Sequence, residues 1–189
     1  AHVAPDNRWR HVAARSPEQL AEHLRYLDQR GDQVYFAPAS FSEECIDVAG
    51  RSRRRSRENV KSIRSCWLDI DVGTDKAESG RGYPTLEDAR KALGEFSVRL
   101  EVAPTYVIGS GTGLHCYWAF ETEIGLADWD RVARLLKQAC AATHLHCDPA
   151  RTTDAASVMR PVGVHHRKDP ANPRLVVLLE RGKVVDLSA

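Results

Sequence analysis

Residues 64–72 read Arg64-Ser65-Cys66-Trp67-Leu68-Asp69-Ile70-Asp71-Val72. The alternation places Cys66, Leu68 and Ile70 on one face of a strand and Trp67, Asp69 and Asp71 on the other. A period of two carries the carboxylates of Asp69 and Asp71 on the same side, roughly 6–7 Å apart along the backbone. Brought to about 5 Å, two ionised carboxylates repel by roughly 3 kcal/mol at an effective dielectric near 20, so the pair calls for a compensating cation. Mg²⁺ or Mn²⁺ prefers carboxylate and water oxygens, and two such ions about 4 Å apart can bind the attacking and leaving oxygens of a phosphoryl transfer. A bare D-x-D also occurs on solvated polar faces, so the pattern needs company before it carries a function.

Company lies on both sides. Upstream, five arginines fall between Arg51 and Arg57, and the run RSRRRSRENVKSIR reads as a mobile basic loop able to meet phosphates or merely to stay solvated. Downstream, 104–109 and 114–120 read as two paired strands joined by Ser110-Gly111-Thr112-Gly113, whose glycines let backbone N–H groups approach an anion. His115 leaves that loop on the face of Tyr117, among polar neighbours, where it can donate to a phosphate or serve as a structural histidine. Further on, Asp148 and Asp154 are both candidate third carboxylates. Arg151, Arg160, Arg167 and Lys168 are candidate phosphate ligands, since guanidinium forks and ammonium groups suit phosphate oxygens.

The remaining elements follow from periodicity and capping. Ser16-Pro17-Glu18-Gln19 is an N-cap, a Pro at the first helical position and a capping-box Gln, so 17–30 reads as a helix ended by Gly31. Residues 33–37 read as a short strand, and 85–96 as a helix capped by Thr85. In 126–142, Trp129, Val132, Leu135, Leu136 and Ala139 form one apolar stripe of a core-facing helix. Residues 148–157 read as a polar loop, and 174–187 as a terminal strand pair around Arg181-Gly182. Helices mixed with adjacent strands and hairpins predict an α+β fold in which helices cover an antiparallel sheet.

In their order and spacing these motifs resemble the archaeo-eukaryotic primase superfamily, particularly the primase-polymerases of phages, plasmids and mobile elements, over about 61–168. The family's metal-binding D-h-D strand is similar to Cys66–Asp71, its nucleotide-contacting S-x-H motif to Ser110–His115, and its later apolar-Asp motif to Cys147-Asp148. The tail Arg160–Lys168 resembles an R-x-P-G-T-x-N-x-K pattern but departs from it at Val164 and His166. The resemblance implies a small α/β lobe packed on an RRM-like antiparallel sheet lobe, with the active site in the cleft between them. It implies one primase-polymerase catalytic domain across 1–189, excised from a longer primase-helicase chain. The implied activity is template-directed attack of a 3′-hydroxyl on the α-phosphate of an NTP or dNTP, with release of pyrophosphate. Asp69, Asp71 and Asp148 would hold two Mg²⁺ or Mn²⁺ ions. Ser110, Gly111, His115, Arg160 and Lys168 would bind the nucleotide, and Arg53, Arg54, Arg55 and Arg57 would contact nucleic-acid phosphates. The implied partners are a single-stranded DNA template and a helicase.

Other readings compete. Cys140, His144, His146 and Cys147 are a dense set of soft ligands, but they match no common finger spacing, so structural Zn²⁺ is not expected. His144-Leu145-His146 fits the His-hydrophobe-His pattern of rolling-circle nicking endonucleases, which need a tyrosine nucleophile, and no Tyr follows Tyr117. Sugar-nucleotide transferases use D-x-D without explaining Ser110–His115. A non-catalytic nucleic-acid-binding module leaves the intact acidic set without a role.

Bulk composition is permissive. The 189 residues are 42% hydrophobic and 28% charged, as expected of one domain or two closely packed lobes. A net charge of +1 argues against a whole-surface nucleic-acid binder while leaving room for a basic patch. Five scattered cysteines without a C-x-x-C pair argue against a disulfide framework. No run of about 18 apolar residues occurs and no secretory signal is recognisable, so the expected compartment is the cytoplasm of a bacterial or phage-infected cell.

Overall fold

In the computed structural model, which describes residues 1–3 and 9–187, the strand predicted over 64–72 is the interior of a longer one, Val60–Val72. It pairs antiparallel with Gly113–Ile124, and the register sets Asp69 opposite His115, Leu68 opposite Cys116 and Asp71 opposite Gly113. Tyr106–Gly109 pairs with the far side of Gly113–Ile124, confirming the hairpin reading, and Val177–Arg181 closes that edge. Ala39–Phe41 lies on the other side of Val60–Val72. Gly82–Tyr83 pairs parallel with the end of Val60–Val72, at Asp71 and Val72.

The central sequence of strand Val60–Val72, helix Leu86–Leu100, strands Tyr106–Gly109 and Gly113–Ile124, and helix Leu126–Thr143 places the third strand between the first two. That is the order of an RRM-like β-α-β-β-α unit. The position beside Val60–Val72 is filled from earlier in the chain by Ala39–Phe41.

The apolar face behaves as its alternation requires: Cys66, Leu68, Ile70, Leu114, Cys116 and Trp118 are all buried. Phe96 of helix Leu86–Leu100 meets Trp118 edge-on, with ring centroids 6.2 Å apart. The face carrying Asp69 is not a solvated one. Trp67 is fully buried against Trp129, at 5.0 Å between rings, and Trp67 Nε1–H donates to the Arg151 carbonyl at 2.9 Å. His115 and Tyr117 are buried beside it.

A smaller three-stranded sheet, Trp9–Arg10, His2–Val3 and Gln33–Val34, accompanies helix Pro17–Gln29. The Ser16 hydroxyl accepts from Gln19 N–H at 3.2 Å, the expected cap, whereas the Gln19 side chain accepts from Arg15 N–H rather than closing the box on Ser16. This unit is tied to the main sheet by paired backbone bonds between Phe36 and Met159, 2.9 Å each way. Buried Asp28 adds a second tie, accepting from the His165 backbone N–H at 2.8 Å and from the Arg167 guanidinium.

Several expectations need correction. The basic stretch is not an open loop: Arg51–Arg53 pairs with Ile46–Val48 as a short ribbon. The strand expected at 33–37 is limited to Gln33–Val34, because Phe36 leaves to bridge Met159. The polar loop contains a one-turn helix, Pro149–Thr153, started by the Asp148 carboxylate, which accepts from Ala150 N–H at 2.9 Å. The terminal strands do not pair with each other. Arg174–Leu175 joins His165–His166, and Val177–Arg181 joins Tyr106–Gly109. Among the described residues no helix is long and apolar enough to cross a membrane.

Gly113 leaves no room for a side chain between the two central strands, since a Cβ there would lie 2.0 Å from the Ile70 carbonyl oxygen. Exposed Gly94, inside helix Leu86–Leu100, would meet nothing within 4 Å. We predict that Gly113→Ala destabilises the chain by at least about 2 kcal/mol through forced strand separation. Gly94→Ala should stabilise it by about 0.5–1 kcal/mol through helix propensity. Thermal denaturation checks both, since 1 kcal/mol moves Tm by roughly 2–4 °C at this chain length.

Candidate active site

Asp69 and His115 are brought together by strand register, and His115 Nε2 lies 3.7 Å from Asp69 Oδ1. The third segment is fastened to the same point, because Asp148 N–H donates to the Asp69 backbone carbonyl at 2.8 Å. Its carboxylate therefore stands beside the strand pair rather than along it. Asp154, the alternative third carboxylate, instead caps the following turn, accepting from Ala156 N–H at 3.0 Å and the Ser157 hydroxyl at 3.3 Å.

The electrostatics follow from this crowding. Burial first, then the neighbouring Asp71 charge, push the Asp69 carboxyl up to about 6; Asp148 pushes the same way, while Arg151 and Arg160 pull back. Burial, reinforced by the Arg160 guanidinium, pushes the His115 imidazole down to about 3, so it is neutral and can offer a single N–H. Asp71 is less enclosed and receives Lys76 Nζ at 2.5 Å from the short helix Thr74–Glu78.

These oxygens suit a hard divalent cation in kind, and the raised pKa of Asp69 registers burial together with the neighbouring negative charge. They are not a preassembled cage. Among the described residues no three His, Cys, Asp or Glu side chains converge on one point, because Asp71 is turned to Lys76 and Asp148 to its own helix. Lys76, absent from the sequence reading, occupies the charge-compensating role at Asp71. Its spacing five residues after Asp71, across a Gly73 turn, was the available signal.

The predicted phosphate-binding residues divide into two groups. Ser110 is buried and its N–H donates to the Gly113 carbonyl at 2.9 Å, so the glycine loop is a tight turn above the strand pair. Gly111 has φ +95° and stands against His166. Arg160 reaches across from Met159, its guanidinium 4.9 Å over the Tyr35 ring and bonded to the Tyr35 hydroxyl at 3.0 Å; it attracts Asp69. Half-buried Arg55 faces Arg151 and Asp154. Arg53 is exposed on its ribbon, Arg54 pairs with Glu44 at 2.5 Å, and Arg57 pairs with Asp130. Lys168 is exposed, and its charge reaches His166. Arg167 is held by Asp28 and ties the two units together.

The soft-ligand cluster forms no metal centre among the described residues. Leu145 is buried between exposed His144 and His146 at the end of helix Leu126–Thr143. A tyrosine does stand there: Tyr83 packs edge-on against His146 and its hydroxyl accepts the His146 N–H at 3.1 Å. Burial raises the Tyr83 phenol above its ordinary range, the opposite of an activated nucleophile.

Two solved structures share the fold. The AEP domain of the cyanophage S-2L primase-polymerase aligns with a TM-score of 0.62 at 14% identity, over 98% of this chain and 82% of that one. Primase RepB′ aligns with a TM-score of 0.50 at 16% identity, over 88% of this chain and 44% of that one, so this chain spans less than half of RepB′. The fold is therefore of the archaeo-eukaryotic primase type. No family model matches the chain, and no curated protein does so significantly.

Asp69 also yields a pH prediction. Its folded pKa, about 6, lies above the ~3.9 of an unfolded aspartate, so protonation favours the folded chain, and that stabilisation is lost as pH rises through about 6. In metal-free buffer, Asp69→Asn should therefore stabilise the chain by on the order of 1–2 kcal/mol near pH 8, and the gain should vanish below about pH 4. Thermal melts across that range in EDTA decide it; a variant less stable than wild type near pH 8 contradicts the electrostatic account.

Proposed function

We propose that the chain is a template-directed nucleotidyltransferase, a DNA primase or polymerase that joins nucleoside triphosphates along a single-stranded DNA template. The observation that carries this reading is the juxtaposition of a charge-burdened Asp69 and a neutral, buried His115 at one register position, directly beneath a glycine turn. A likeness in fold to primase-polymerases supports it.

In this reading the 3′-hydroxyl of the growing strand attacks the α-phosphate, forming the O3′–P bond as the bond from the α-phosphorus to the α,β-bridging oxygen breaks; pyrophosphate leaves with that oxygen and the hydroxyl proton passes to water. Asp69 and Asp71, with Asp148 beside them, would hold Mg²⁺ or Mn²⁺. Such an ion, when bound, lowers the pKa of the attacking hydroxyl and neutralises charge on the leaving group. The chain's own groups do the positioning. His115 offers one N–H to a phosphate oxygen without adding charge, and the Ser110–Gly113 turn brings backbone close to the same oxygens. Arg160, held in place by Tyr35, supplies a fixed guanidinium on the opposite wall. With Asp71 holding a cation, the Lys76 ammonium that now pairs with it would be available to a phosphate. Exposed Arg53 and half-buried Arg55 would face template or triphosphate phosphates, while Arg54 and Arg57 are engaged by Glu44 and Asp130. A helicase domain or protein would supply the unwound template.

The test is incubation with single-stranded template, with and without a primer, NTPs or dNTPs, and Mg²⁺ or Mn²⁺. Wild type should start or extend strands, and Asp69→Ala and Asp71→Ala should each lose at least about 10³-fold, the scale of removing electrostatic stabilisation of a transition state. Failure of wild type to incorporate any nucleotide, or full activity in both variants, overturns the reading.

A further inference from the structure

The glycine turn is gripped from outside by a second ribbon that the proposed chemistry does not use. His165–His166 pairs with Arg174–Leu175, and the register sets His166 directly across from Arg174. Both residues touch the turn. A Cβ at Gly111 would lie 2.8 Å from His166 Cβ, so the loop backbone rests on that imidazole. Arg174 Nη1–H donates to the Gly111 carbonyl at 2.8 Å. Buried Val164 and Val176 fix the base of the ribbon through an N–H to carbonyl bond of 2.9 Å, and Asp28 holds its other side through His165 and Arg167.

The charges acting on His166 are all of one sign. The groups acting on His166 are Arg160, Arg174 and Lys168, which together with burial push it down to about 4 and leave it neutral. Beyond the Gly111 carbonyl, the guanidinium of exposed Arg174 has no partner among the described residues. One end of the turn, Gly113, thus lies opposite Asp71, and the other, Gly111, carries the Arg174 guanidinium with its unused donors. A chain of phosphates laid over the turn would place its reacting end at the carboxylates and its far end at this cationic rim.

We propose that Arg174 is a positioning residue for the terminal phosphates of a nucleoside triphosphate, clamping the Ser110–Gly113 turn through Gly111 while its free N–H groups face the β- and γ-phosphates beside His166. The proposal rests on the nucleotidyltransferase reading for its choice of ligand. It adds residues that the acidic and Ser110–His115 motifs do not contain.

The test separates charge, hydrogen bonding and scaffold. Equilibrium binding of dATP, dADP and dAMP in Mg²⁺ is measured for wild type, Arg174→Gln, Arg174→Lys and, as an off-site control, Arg181→Ala, with melting temperatures alongside. Where wild type extends primers, KM and kcat are measured as well. Arg174→Gln should weaken dATP binding at least tenfold, change dAMP binding less than twofold, raise KM more than it lowers kcat, and leave the melting temperature unchanged. Arg174→Lys should recover part of the loss, and Arg181→Ala should match wild type. Unchanged dATP affinity in Arg174→Gln overturns the proposal, as does an equal loss for dATP and dAMP, which would mean that Arg174 serves only loop structure. Arg174-dependent triphosphate binding without nucleotide transfer would sink the enzymatic reading and spare this one. Absence of any triphosphate binding by wild type sinks both.

Discussion

The pairing of Val60–Val72 with Gly113–Ile124 governs both the core and the site, because one register fixes two things at once. With side chains alternating across the sheet, Leu68, Ile70, Leu114 and Cys116 can be buried on one face only if Asp69 and His115 meet on the other. A slip of one residue would put the carboxylates into the apolar core and Leu68 and Ile70 into the site. Gly113 permits the close approach that this register demands at its end, beside Asp71. Packing and chemistry are therefore specified by the same set of backbone hydrogen bonds.

Around that pairing the site is graded in charge. Asp71 and Asp148 load negative charge onto Asp69 while Arg151 and Arg160 counter it, Arg160 and Arg174 act on His166, and His115 stays neutral among them. An imidazolium at His115 would be buried among arginines, so neutrality is imposed by its surroundings and does not depend on ambient pH near neutrality. Lys76 plays the complementary part at Asp71, where a flexible ammonium offsets a carboxylate that stands next to a buried neighbour. Tyr35 performs a quieter task, holding the Arg160 guanidinium by ring and hydroxyl and so restricting its side-chain freedom.

Much of this was legible in the sequence because it depends on local periodicity. The alternation of 64–72, the Gly-rich turn and the capped helices each encode their own geometry in a few neighbouring residues, and the structure reproduces them with modest changes of boundary. The misreadings occurred where distant segments decide the outcome. The polar stretch after Asp148 becomes a helical turn because Asp148 caps it and Trp67, remote in sequence, bonds its Arg151 carbonyl. Arg174–Leu175 and Val177–Arg181 look like a hairpin by spacing but find separate partners, since His165–His166 and the open edge of Tyr106–Gly109 compete for them. Charge counting likewise could not tell that Arg167 is committed to Asp28 while Arg174 keeps free donors, because that depends on which acidic residue lies within reach.

The tie between Asp28, Phe36 and the segment around Met159–Arg167 joins regions separated by well over a hundred residues. The wall bearing Arg160 therefore cannot be set before that late segment has been made and has returned to the first helix. A ribosome releasing the chain from its N-terminus would expose a complete Asp69 strand for several seconds at about 5–20 residues per second before its partners are available. The acidic strand is thus made well before the segment that carries Arg160, and the two are joined only once that segment has returned to Asp28 and Phe36.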